Sequence, residues 1–229
     1  MKKERHICTS CAYVYDPEQG DPVEVERTTL DELGLADRSC LQVFNKMDAV
    51  TERAAYALKI AERNRWLLTI ALDHLTLARA ALYRGLLDVG ESLRDSPPAS
   101  ERQPHVAESA PDLTAAVDGL RAAGSMNHLP RALLTRAWQR KLCGDDAGSC
   151  GDLDEAWEIA ERGGMLLHQA DVHLTRARLF HRAAAYPWQS APDDLARARD
   201  LIQSCGYHRR DEELADAEAA IGPSGNAGP

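Results

Sequence analysis

The amino-acid sequence predicts a mainly α-helical protein built from stacked helical hairpins, and three observations support this fold class. His74-Leu75-Thr76 and His173-Leu174-Thr175 are copies of one pattern, about 100 residues apart. Leu134-Thr135-Arg136-Ala137 and Leu174-Thr175-Arg176-Ala177 repeat at a period of about 40 residues, which is typical of stacked hairpins. Aromatic residues make up only 5% of the chain, whereas Ala, Leu and Arg are frequent, which favours closely packed helices over a β-sandwich.

Composition excludes several classes of partner. The 229 residues are 44% hydrophobic and 28% charged, as in ordinary globular proteins. A net charge of -9 opposes binding to nucleic-acid phosphates, so we expect no nucleic-acid partner. No apolar run follows the charged start or approaches the roughly 18 to 20 residues that span a bilayer, so we expect a cytoplasmic protein without a membrane partner. The six cysteines are then predicted to be free thiols or metal ligands rather than disulfides.

The first element is a small β or irregular segment with a pair of cysteines. Cys8 and Cys11 are separated by two residues, a spacing that lets both sulfurs face one tetrahedral metal ion. Residues 6–22 resemble the first metal knuckle and hairpin of rubredoxin, and the resemblance implies iron or zinc. A rubredoxin closes its site with a second pair, but here Cys40 stands near that place and Val43 replaces the last cysteine. The alternatives are a four-thiolate site, a site completed by His6, Cys40 or a second subunit, and no metal.

Residues 24–50 carry a different pattern, which ends in Asn45-Lys46-Met47-Asp48. They resemble the helix, strand and guanine-reading loop of translational GTPases of the HflX class. The resemblance implies that Asn45, Lys46 and Asp48 read a guanine base. The chain has no Gly-x-x-x-x-Gly-Lys-Ser/Thr loop to hold the phosphates, so we expect nucleotide affinity to be largely lost. The alternative interpretation is a short helix and strand retained for packing. Residues 1–50 therefore form a patchwork that is not predicted to fold as an autonomous domain.

From residue 51 onward, apolar residues recur three and four positions apart, which predicts amphipathic helices. Pro111-Asp112 is typical of a helix start and Gly124 of a helix end. Residues 91–110 are rich in Ser, Pro and charge and are predicted to form a loop inserted within one repeat, and residues 222–229 a disordered tail. The predicted helices span residues 51–63, 66–87, 111–123, 129–142, 153–162 (with a start as early as 147 as the alternative), 165–184, 192–204 and 209–221.

This order of paired helices over residues 51–221 resembles tetratricopeptide repeats, with Gly144-Asp145 and Asp152-Leu153-Asp154-Glu155-Ala156 as characteristic stretches. The resemblance implies a right-handed α-solenoid whose first helices line a concave groove. Such arrays bind other proteins, so a protein or peptide partner is expected, and a homodimer is the further option.

Polar residues that recur on the predicted first helices are the candidate groove residues. Arginines there would pair with carboxylates of the partner. The alternative interpretation is that these residues recur only because the array arose by duplication. No catalytic constellation stands out, so no enzyme activity and no cofactor are predicted; a metal-binding or electron-transfer role for Cys8 and Cys11 is the alternative function. The candidate groove residues are His74, Arg79, Arg136, His173, Arg176 and Arg178.

Overall fold

The computed structural model describes the backbone of residues 6–7, 14–15, 38–92 and 106–221, and the side chains of residues 48–85 and 106–221. The predicted mainly α-helical fold is confirmed over this part of the chain. Contacts divide the chain into two compact units, Met1–Ala49 and Val50–Pro229. Within the described ranges, no helix has the length and apolar character needed to cross a membrane.

The first unit contains two short strands, β1 (His6–Ile7) and β2 (Val14–Tyr15). They pair antiparallel, with His6 opposite Tyr15 and Ile7 opposite Val14. The strands therefore flank residues 8–13 in the sequence. Cys8 and Cys11 themselves lie outside the described residues, so their role as metal ligands stays a prediction.

Helix α1 (Arg38–Asn64) begins well before the predicted start at residue 51. The expected strand and guanine-reading loop over residues 41–48 are wrong, because the backbone there is helical throughout. Residues 38–64 contain neither glycine nor proline, so nothing in this stretch interrupts a helix once it has formed. The helix ends where Arg65 adopts a positive φ of 56°.

Seven further helices follow within the described ranges, and six of them form three antiparallel hairpins. In each hairpin the first helix packs most extensively against the second, and each first helix also contacts the next first helix along the chain. We call α2, α4 and α6 the first helices and α3, α5 and α7 the second helices. Their bounds are α2 (Leu67–Ser92), α3 (Ala110–Ala122), α4 (Leu129–Leu142), α5 (Asp146–Arg162), α6 (Leu166–Phe180), α7 (Ala191–Cys205), a 3₁₀ turn (His208–Arg210) and α8 (Asp211–Ile221).

Helix α5 starts seven residues earlier than the main prediction, at Asp146. The carboxylate of Asp145 accepts a hydrogen bond from the Gly148 backbone N–H at 2.9 Å, which caps the helix at this earlier point. Helix α6 ends at Phe180 rather than at residue 184, and α2 extends to Ser92, into the expected loop. Residues 93–105 of that loop lie outside the described part of the chain.

Glycine closes each hairpin in the same way. Gly124, Gly164 and Gly206 follow the three second helices with φ values of 64°, 60° and 63°. Side chains disfavour this left-handed conformation, whereas glycine adopts it freely and lets the chain turn into the next helix. The periodic glycines of the sequence are therefore the corners of the array.

The core consists mainly of Leu, Val and Ala from the faces of these helices. One cluster joins α2 to α6, with Leu113, Leu120 and Leu133 fully buried, and a second joins α6, α7 and α8 around Leu195 and Ile202. Small residues allow close approach: a Cβ at Gly119 would lie 2.8 Å from the Ala71 Cβ. Every hairpin depends on its neighbours to bury its apolar face, as in other arrays of stacked hairpins.

A carboxylate occupies one position that is apolar in the other two hairpins. Asp73 of α2 is equivalent in the repeat to Ala132 and Val172, which are completely buried. Its Oδ2 atom is buried without a hydrogen-bond partner, and burial raises the pKa of Asp73 above 3.8.

We expect Asp73→Val to raise the free energy of unfolding at pH 7 by about 1 kcal/mol, because an unsatisfied carboxylate oxygen is removed. Because the pKa of Asp73 is raised in the folded state, protonation of Asp73 stabilises the wild type. The difference in free energy of unfolding between the variant and the wild type therefore shrinks as the pH falls through that pKa. Urea unfolding at several pH values measures both effects. A variant that is less stable than the wild type at pH 7 would contradict this interpretation.

Candidate functional site

An aspartate on each second helix ties it to the first helix of the same hairpin. Three first-helix side chains pair with these aspartates: His74 Nδ1 lies 2.7 Å from Asp112 Oδ1, Arg136 Nη2 2.6 Å from Asp152 Oδ1, and His173 Nδ1 2.6 Å from Asp194 Oδ1. Each aspartate begins an Asp-Leu-x-x-Ala pattern in which the leucine and alanine are buried. The recurrence of this pattern at residues 112, 152 and 194 is the sequence signal that identifies these aspartates.

These pairs give three of the candidate groove residues an intramolecular role. His74, Arg136 and His173 face the second helix of their own hairpin, and the imidazole of His173 also packs on Trp157 with ring centroids 4.7 Å apart. The structure therefore favours packing as the reason for their recurrence.

Two further candidates on α6 also have partners within the chain. Arg176 is buried, donates to Asp154 Oδ1 at 2.8 Å and stacks 4.4 Å from the centre of the Trp188 ring. Arg178 is more exposed and donates to Glu213 Oε2 of α8 at 2.9 Å. Both arginines fasten α6 to neighbouring segments.

Arg79 is the candidate that lies on the surface shared by the first helices. It donates to the Thr135 hydroxyl at 2.9 and 3.0 Å and to the Arg131 carbonyl at 3.2 Å, which joins α2 to α4. Burial, together with the positive charges of Arg131 and Arg210, lowers the pKa of Arg79 to about 10. Arg79 remains charged at neutral pH, in a positive environment.

Asp171 of α6 is the acidic member of this group of charged side chains, which also includes Arg79, Arg131 and Arg210. It is 4% exposed and accepts hydrogen bonds from Arg210 Nε at 2.8 Å and from the Tyr207 hydroxyl at 3.3 Å. Burial alone would raise the pKa of Asp171, but His168 and Arg210 outweigh it and hold that pKa below its usual value.

Charges from four elements thus converge on one surface, and we call Arg79, Arg131, Asp171 and Arg210 the groove cluster. Arg79 reaches α4 through its hydrogen bonds to Thr135 and to the Arg131 carbonyl, and Arg210 reaches α6 through its hydrogen bond to Asp171. We call the face of α2, α4 and α6 that carries these residues the groove.

Arg131 is the available cation of the groove cluster. Its side chain is exposed, and within the described ranges its guanidinium forms no hydrogen bond or ion pair. Arg131 was not a sequence candidate, because it does not recur: the equivalent positions hold Leu72 and Asp171.

An aromatic pair lies beside the groove cluster. The rings of Tyr83 and Trp138 meet edge to face, with centroids 5.5 Å apart, and Tyr83 is 47% exposed. Tyr83 is four residues after Arg79, so both lie on one face of α2. The groove therefore combines an exposed positive charge with an accessible apolar surface.

A second apolar surface is formed by residues just after the turns that lead into the first helices. Its members are 40–55% exposed and lie at equivalent places in the array, which makes them one edge rather than scattered residues. We call this the corner edge; it consists of Trp66, Leu67, Leu68, Met126, Leu166 and Leu167.

The described part of the chain has few side chains arranged for metal binding or nucleophilic chemistry. It contains no group of three or more His, Cys, Asp or Glu side chains that could hold a metal ion. Burial raises the pKa of the free thiols Cys143 and Cys150, which disfavours the reactive thiolate.

The proposed guanine readers lie on helix α1, where the side chains of Asn45 and Lys46 are outside the described residues and Asp48 is exposed. Cys40 is also on this helix, with its side chain outside the described residues.

Comparison of the chain with protein-family models, curated proteins and solved structures gives no match.

Proposed function

We propose that this chain is a protein-binding repeat protein, similar to tetratricopeptide arrays, whose groove holds a segment of a partner protein. The order of the helices supports this proposal, since three hairpins stack with first helix against first helix. In such an array the inner face is continuous across repeats and wide enough for a peptide segment.

The observation that carries the proposal is the arrangement of the groove cluster, in which Arg79 is bonded to Thr135 and Arg131 of α4 and Arg210 to Asp171 of α6, together with the Tyr83–Trp138 pair. An exposed arginine next to accessible aromatic rings is the composition typical of the energetic centre of a protein interface. The surface is formed by three helices and a turn, so its extent suits a peptide segment.

Selection of binding peptides from a displayed library tests this function. The full-length chain is immobilised and selected with a displayed library of random peptides, and the affinity of enriched peptides is measured for two matched variants. Thr76 is exposed on α2, and Thr114 is exposed on the second helix α3; each hydroxyl donates to the carbonyl four residues earlier. Thr76 precedes Arg79 by three residues and shares its face.

We expect Thr76→Trp to weaken peptide binding at least about tenfold, because the larger side chain fills the groove, whereas Thr114→Trp leaves the affinity unchanged. A tenfold change corresponds to about 1.4 kcal/mol. Both variants should keep the helical circular-dichroism spectrum, since neither position is buried. No enriched peptide, or equal binding to both variants, would overturn the proposed function.

A further inference from the structure

We propose that the partner segment is an acidic peptide, with a carboxylate bound by Arg131 and an apolar side chain placed against Tyr83 and Trp138. This inference rests on the proposed function and specifies the chemistry of the partner. It differs from the sequence-based interpretation, which assigned carboxylate binding to Arg79, Arg136, Arg176 and Arg178 and not to Arg131. Arg136, Arg176 and Arg178 have carboxylate partners inside the chain.

The balance of charge in the groove cluster supports an anionic partner. The groove cluster contains three arginines and one carboxylate: Arg79 donates to the Arg131 carbonyl, and Asp171 already accepts a hydrogen bond from Arg210. The neighbouring Glu213 of α8 receives hydrogen bonds from Arg210 and Arg178. Within the described ranges Arg131 therefore has no carboxylate partner, and its guanidinium is available to a carboxylate arriving from another molecule.

The geometry of an arginine suits this ligand. A guanidinium presents parallel N–H groups that match the two oxygens of a carboxylate, and it binds them more specifically than a lysine would. Arg131 lies in the first turn of α4, and Trp138 lies two turns further along the same helix. A peptide lying along α4 can reach both with side chains of ordinary length.

The charge of the whole chain separates an acidic peptide from a nucleic acid. The net charge is -9, so a long polyanion would be repelled by most of the surface. A short acidic segment meets only the local positive field of the groove.

The test uses the full-length chain and peptides enriched by the library selection. The variants are Arg131→Glu in the groove and Arg197→Glu on the second helix α7, where Arg197 is likewise exposed and without a partner within the described ranges. Both variants change the net charge equally, so they separate the local effect from the global one. Affinities are measured by fluorescence anisotropy at low and high salt.

We expect the enriched peptides to be rich in Asp and Glu, and Arg131→Glu to weaken their binding at least about tenfold while Arg197→Glu has less than about a twofold effect. Binding should also weaken as salt rises, since the contact is between charges. A single-stranded oligonucleotide that competes for the site with higher affinity than the peptides would overturn the acidic-peptide assignment.

The outcomes distinguish this inference from the proposed function. Peptides that lose affinity for Thr76→Trp but are uncharged and insensitive to Arg131→Glu would overturn the acidic partner while leaving a peptide-binding groove. Failure to enrich any peptide would overturn both.

Discussion

Asp152→Ala is expected to lower the free energy of unfolding by about 3–5 kcal/mol, the usual cost of breaking a buried ion pair by removing one partner. Asp152 is 2% exposed and accepts hydrogen bonds from Arg136 Nε and Nη2 at 3.0 and 2.6 Å. Arg140 Nη1 lies 3.0 Å from its second oxygen. An arginine cannot lose its proton, so the variant leaves the charge of Arg136 buried without compensation.

Urea unfolding followed by circular dichroism measures this loss. Asp118→Ala is the matched control, because the Asp118 side chain is 62% exposed and its pair with Arg121 is a surface pair that contributes at most about 1 kcal/mol. Losses of similar size in the two variants would show that Asp152 does not fasten α4 to α5.

Phe180→Ala is expected to cost about 3–5 kcal/mol, because it removes a large aromatic side chain and leaves a cavity. Phe180 is 1% exposed and forms a core cluster with Ala137 of α4 and Leu153 of α5. Its ring meets Trp188 edge to face with centroids 5.4 Å apart. The side chain thus connects two hairpins, so its loss weakens the interface between repeats as well as the core.

A milder substitution separates the effect of lost side-chain volume from the effect of the lost aromatic contact. Phe180→Leu keeps most of the apolar volume and should cost roughly 1–2 kcal/mol, well below the alanine variant. The same urea experiment measures both, and near-ultraviolet circular dichroism reports the environment of Trp188. An alanine variant no less stable than the leucine variant would contradict the assignment of Phe180 to the core.

Much of the helical architecture was predictable, because its signals are local. Pro111 and Gly124 indicate the start and the end of one helix from the local sequence alone. The helix predicted at residues 129–142 matches α4. Helix α1 begins at Arg38, well before the predicted start, and residues 38–64 contain no glycine or proline that would interrupt it. The early start of α5 depends on the Asp145 cap, which outweighs the glycines that disfavour a helix there.

The candidate site was harder to predict, because a sequence repeat shows which residues recur but not where their side chains point. His74 and His173 recur because each holds an aspartate of its own hairpin, and a residue repeated for packing resembles one repeated for binding. Arg79 lies on a first helix, as predicted, but its contacts with Thr135 and Arg131 depend on how α2 packs against α4. The packing of one helix against another cannot be read from the pattern of a single helix.

The most direct measurement is a structure of the full-length chain bound to a peptide enriched by library selection. We predict that the peptide lies along α2, α4 and α6, with a carboxylate on Arg131 and an apolar side chain against Tyr83 and Trp138. A peptide bound to the second helices α3, α5 and α7, or to the corner edge, would contradict the assignment of the groove as the binding surface.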